Sequence, residues 1–90
     1  MAHIVGDSAK LLARVRRIQR QTIALEKQLN EGADCLDALQ QIAAIRGAVN
    51  GLMVAVIEGH LSAHVVQEPV LAQRQQDFEA VLQIIKSYLR

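Results

Sequence analysis

The chain has 90 residues, half of them hydrophobic (51%), with Phe78 and Tyr88 as its only aromatics, and a net charge of +1 from 10 basic and 9 acidic side chains. That length suits one small domain with a modest core, which association with further copies would enlarge. The single cysteine excludes an internal disulfide, and Met1–Lys10 lacks the basic-then-apolar pattern of a secretion signal, so a cytoplasmic compartment is expected. No uninterrupted apolar run reaches the ~18–20 residues of a membrane span.

Leu, Ile, Val and Ala dominate the apolar set, and the periodicity predicts an all-α chain of three helices over about 8–30, 35–65 and 70–89, a single domain spanning 1–90. Asp7 or Ser8 can cap the first helix. Its apolar stripe is Leu11, Val15, Ile18, Thr22, Leu25 and Leu29, a heptad seam with one polar member. At ~100° per residue Arg16, Arg17 and Arg20 lie on the opposite face, with Lys10 and Arg14 on its flank. A basic stripe along a helix whose other side is buried is a candidate nucleic-acid surface. The "NEGAD" stretch, 30–34, reads as a turn.

The second helix is long for so small a domain. It carries Gly47, Gly51 and Gly59 among Ala43, Ala44 and Ala48, small residues that let helix backbones approach closely. Arg46 and Asn50 in the same region are expected to hydrogen-bond across an interface. "QEP", 67–69, ends the helix, because the residue before proline avoids helical geometry. Phe78, Leu82, Ile85 and Leu89 give the third helix its buried face.

Chemistry concentrates at the ends of the second helix. His60 and His64, four residues apart, point the same way at its tail, and Cys35 stands at its head. Cys35 and His60 are 25 residues apart, about 37 Å along a straight helix, against metal–ligand bonds of about 2.0–2.3 Å. The three donors can therefore meet only if a second copy packs antiparallel. The midpoint of such a pair falls near Gly47, Ala48 and Gly51, and a two-fold pair builds two sites at once. His3 and a free amine at Ala2, once Met1 is removed, could complete the set. One thiolate with several nitrogens suits Ni(II), Co(II) or Zn(II): four donors favour tetrahedral zinc, additional ones six-coordinate nickel or cobalt. No paired carboxylates, nucleophile–base set or glycine-rich phosphate loop points to an enzyme.

The block "LQQIAAIRGAVNGLMVAVIEGHLSAHV", 39–65, preceded by Cys35 and by "RVRRIQRQTIALEKQL", resembles the CsoR/RcnR/FrmR family of small helical bacterial repressors over nearly the whole chain. The resemblance implies a three-helix protomer, an antiparallel dimer pairing into a homotetramer, operator double-stranded DNA as partner, and release of DNA by an inducer. In the copper branch a second cysteine stands where His64 does. In the formaldehyde branch a proline stands where Ala2 does, and a carboxylate where His64 does. The nickel/cobalt branch matches His3, Cys35, His60 and His64. The resemblance thus implies a Ni(II)/Co(II)-responsive repressor that binds metal through those four residues and DNA through Lys10, Arg14, Arg16, Arg17 and Arg20. Its alternative is a formaldehyde sensor acting through Cys35 and the N-terminal amine.

Overall fold

A computed structural model describes residues 8–89, so Asp7 as a cap, Ala2 and His3 lie outside the described residues. The described residues form three α-helices and no strand: α1 (Ser8–Asn30), α2 (Cys35–Leu61) and α3 (Leu71–Tyr88). The expected element order and type hold, with boundaries displaced by a residue or two at α3. One feature is new: α2 passes directly into a π-helical turn, Ser62–Val66, closed by the Gln67 amide on the Ser62 carbonyl at 3.0 Å.

The contacts divide the chain into two compact units. The first, Ala9–Val54, joins α1 to most of α2. Its turn is a Schellman motif: the Ala33 amide donates to the Gln28 carbonyl (2.8 Å) and the Gly32 amide to the Leu29 carbonyl (3.3 Å). Gly32 has φ +70°, a left-handed conformation in which a side chain is strained. The Asp34 carbonyl accepts the first bond of α2, from the Ala38 amide.

Leu11, Ile18, Gln21, Leu25 and Gln28 of α1 are half-buried; on α2, Gln41, Ile45, Ala48 and Leu52 are half-buried and Ala38 is buried. The inward stripe of α1 is thus rotated from the expected one. Val15, Thr22 and Leu29 are exposed, and two glutamines take their places. Gln21 and Gln41 make this register possible, since the Gln41 side-chain amide donates to the Gln21 carbonyl at 3.0 Å. Thr22 stays outside and bonds its own helix, donating to the Gln19 carbonyl.

The second unit, from Ala55 onward, contains the end of α2, the π turn and α3, which packs against that turn. Pro69 separates the two helical segments, and the Glu68 carboxylate accepts from the Val70 amide where α3 begins. Val81 is buried; Arg74, Asp77, Leu82 and Ile85 are half-buried. Phe78 and Leu89, expected to face inward, are 45% and 74% exposed. The inward face of α3 is rotated toward Asp77 and Val81, carrying two ionisable residues with it.

Among the described residues Ala38 and Val81 alone are buried. Leu36, Leu39, Ile42, Val49 and Val54 of α2 lie open to solvent in the single chain. The helical run Cys35–Val66 has an 18-residue window of mean hydropathy 1.5, long and apolar enough to cross a membrane by length and composition. This corrects the expectation that no stretch reaches that length. Arg46, Asn50 and Glu58 break any continuous apolar run, but an averaged window tolerates them.

Candidate functional site

His60 and His64 lie in the second unit, one in the last turn of α2 and the other inside the π turn. Their ring centroids are 4.8 Å apart, with planes inclined by 35°. A π turn holds more residues than an α turn and recurs at functional positions. Both rings are tied to one residue of α3. His60 Nε2 lies 3.1 Å from the Asp77 carbonyl oxygen, and His64 Nδ1 lies 3.4 Å from Asp77 Oδ2. The second contact is an ion-pair distance without hydrogen-bond geometry, since Oδ2 is shielded from solvent and has no hydrogen-bond partner. The other carboxylate oxygen, Oδ1, accepts from the Gln73 side-chain amide at 2.9 Å.

Cys35 is the first residue of α2; its thiol is unpaired and exposed. α2 is unbroken from Cys35 to Leu61. Leu39, Ile42, Arg46 and Val49, spaced 4, 3, 4 and 3 from Cys35, lie on the same exposed face. Among the described residues no three His, Cys, Asp or Glu side chains gather into a metal-binding group.

Lys10, Arg14, Arg16, Arg17 and Arg20 are all exposed on α1. Arg14 departs from the simple picture of a solvated flank. Its Nη1 atom lies only 3.0 Å from where a Cβ on Gly51 would stand, so the glycine makes room for the guanidinium against α2. A Cβ on Gly47, by contrast, would meet nothing within 4 Å in the protomer.

Sequence reasoning missed Asp77. A signal was present: Arg74, Asp77, Val81 and Ile85 make a helical stripe (spacing 3, 4, 4) alternative to the more apolar Phe78 stripe. Choosing the more hydrophobic stripe hid it. The π turn has no signal in the sequence.

Basic side chains lie exposed on α1, an exposed thiol begins α2, and an imidazole pair lies where α2 meets the π turn. Comparison with known proteins gives the class. The family model "Metal-sensitive transcriptional repressor" matches residues 7–87. The transcriptional repressor RcnR of Salmonella paratyphi B is 50% identical over 90 residues, covering all of both chains. RcnR of Escherichia coli O9:H4 is 49% identical over the same span. Among solved structures, a glutamate-to-histidine variant of the formaldehyde-responsive regulator FrmR from Salmonella enterica serovar Typhimurium superposes with a TM-score of 0.86. It is 43% identical, and the match covers 92% of this chain and 94% of that one.

The chain belongs to the metal-sensitive transcriptional repressor family, which also contains RcnR and FrmR. It is therefore a regulatory, DNA-binding protein rather than an enzyme, and such a repressor works as a soluble protein in the cytoplasm.

Proposed function

We propose that the protein is a Ni(II)/Co(II)-responsive repressor. It holds operator DNA without metal and lets go when the ion is captured between two protomers. Cys35 of one protomer, with His60 and His64 of the partner subunit, would supply the donors, and His3 would tie the N-terminal arm to the same ion. The observation carrying this reading is the uninterrupted helix from Cys35 to Leu61. Along a straight helix the 25 residues from Cys35 to His60 rise about 37 Å, so a head-to-tail neighbour would unite the sulfur with the imidazoles.

Further features support it. Leu39, Ile42 and Val49 follow Cys35 along one face of α2. That face is apolar and exposed in the single chain, with Leu39 at 54%, Ile42 at 48% and Val49 at 39%. Gly47, near the midpoint of the head-to-tail pair, is open to close approach. A second α2 laid there would cover the surface that otherwise has membrane-like hydropathy, and a pair of such dimers would give the homotetramer. The donor set of one thiolate with imidazoles suits borderline divalent ions, Zn(II) included, better than Mg(II) or Ca(II). The 50% identity to RcnR supports the nickel/cobalt branch.

On the DNA side, Arg16, Arg17 and Arg20, with Lys10 and Arg14, would neutralise phosphates. The release of counterions makes such binding fall steeply with salt. With few amide or aromatic side chains on that face, DNA shape outweighs direct base reading. When bound, the ion supplies a link between protomers. Fixing Cys35 against the histidines, and the arm against both, shifts the start of α1 and its basic stripe. DNA and inducer then oppose each other with a coupling of about 1–3 kcal/mol.

The second reading is formaldehyde, bridging Cys35 and the amine at Ala2. It is favoured by the structural likeness to FrmR and by the exposed thiol. One experiment separates the two: release of operator DNA measured against Ni(II), Co(II), Zn(II), Cu(I) and formaldehyde. Release by nickel or cobalt at the lowest concentrations is expected. Release by formaldehyde alone would replace the metal reading.

A further inference from the structure

We infer that Gly51 is a positioning residue for the DNA-binding surface: the side chain it lacks leaves the passage through which Arg14, rooted on the inward side of α1, brings its guanidinium out to DNA. The inference rests on the reading that Arg14 meets operator phosphates, and it concerns only groups within the unit Ala9–Val54.

Arg14 is not placed like the other arginines of α1. At ~100° per residue it stands between two half-buried rows, Leu11, Ile18 and Leu25 on one side and Gln21 and Gln28 on the other. Those rows face α2, whose Gln41 side-chain amide donates to the Gln21 carbonyl at 3.0 Å, about two turns along α1 from Arg14. Arg16 and Arg20 lie well away from both rows. A guanidinium that leaves from the inward side can lay its stem against apolar neighbours, but its charge needs water or an anion. Arg14 meets both demands by running over Gly51. Its Nη1 atom is 3.0 Å from where a Cβ on Gly51 would stand, and the residue as a whole is exposed.

The fit belongs to this position. A Cβ on Gly47, one turn earlier on α2, would meet nothing within 4 Å. At Gly51 the 3.0 Å approach is closer than an ordinary van der Waals contact, ~3.5–4.0 Å between carbon atoms, so a methyl group there displaces the guanidinium. The displaced group is the tip of a flexible side chain, and alanine is a better helix former than glycine, so the fold itself should survive. What changes is where the charge sits. The planar guanidinium fork grips phosphate oxygens in a fixed geometry, so the contact is sensitive to that position. α2 thus holds one member of the basic set in place, whereas Arg16 and Arg20 follow α1 alone.

The test is operator binding by the metal-free protein, followed by fluorescence anisotropy over a range of salt, with light scattering to record the mass of the assembly. Gly51→Ala is expected to keep the native helical content and mass, to weaken operator binding about tenfold, and to lower the slope of log affinity against log salt by about one. Arg14→Ala should do the same. The double variant should bind no more weakly than Arg14→Ala alone, because Gly51 acts only through that side chain. In an Arg16→Ala background the loss caused by Gly51→Ala should appear in full. Native affinity and slope in Gly51→Ala overturn the inference. So does a loss that persists when Arg14 is already alanine, including one that comes from a smaller assembly. Native operator binding by Arg14→Ala defeats the underlying reading of Arg14 as a phosphate contact, a result distinct from failure at Gly51 alone.

Discussion

At the scale of single residues, two positions carry the clearest consequences. Cys35 is exposed at the head of α2. Cys35→Ala should leave the fold and operator binding intact and abolish release by Ni(II) or Co(II), read by electrophoretic shift with and without metal. Retained release would remove the thiolate from the site. Gly32, with its φ of +70°, closes the turn after α1. Gly32→Ala should destabilise the protein by about 1 kcal/mol, measured by urea unfolding, because the turn forces a Cβ into the left-handed region. An unchanged midpoint would mean the turn can rearrange. Both residues were legible in the sequence, the cysteine because it is alone and the glycine because it stands in a run of turn formers. Asp77 was not, because its place beside the histidines comes from where α3 packs rather than from its neighbours in sequence.

At the scale of the helix, the rotation of α1 shows where periodicity stops being decisive. The row Leu11, Ile18 and Leu25 can be flanked inward either by Val15, Thr22 and Leu29 or by Gln21 and Gln28, and hydrophobicity alone favours the former. The structure favours the latter for its inward face, with the Gln41-to-Gln21 bond satisfying one of the polar groups it turns in. The same ambiguity misplaced Phe78 and Leu89 on α3. A helix with two apolar edges has two partners to satisfy, and single-sequence reasoning does not rank them. The basic stripe was placed correctly, since all five of its members are exposed. Arg16→Ala or Arg17→Ala should weaken operator binding and lower the slope of log affinity against log salt by about one. An unchanged slope would place the DNA surface elsewhere. Gly47 tests the second helix: since a Cβ there meets nothing within the protomer, Gly47→Leu should spare the helical content and reduce the assembly to smaller species, followed by light scattering coupled to size exclusion. An unchanged mass would move the crossing point away from Gly47.

At the scale of the whole molecule, the family and the three-helix protomer were legible, the family from the block over 39–65 and the helices from their spacing. The proposed assembly rests on reach along the second helix and on the family resemblance. Its test is complementation. Chains carrying Cys35→Ala, mixed with chains carrying His60→Ala and His64→Ala, should regain metal binding, because each mixed pair keeps one complete set of donors. A verified mixed dimer without any recovered binding would rule out a site shared between copies.

The scarcity of buried side chains reaches further, into how such a protein exists in a cell. With Ala38 and Val81 as the buried apolar residues among those described, little holds one polypeptide in shape on its own. In the proposed assembly folding and association become a single equilibrium, and thermal resistance should climb as the protein is concentrated. Gene dosage would set more than the number of repressor molecules. Below a certain abundance, newly made chains would fail to mature and fall to proteases, so repression would switch on with abundance as a threshold rather than in proportion.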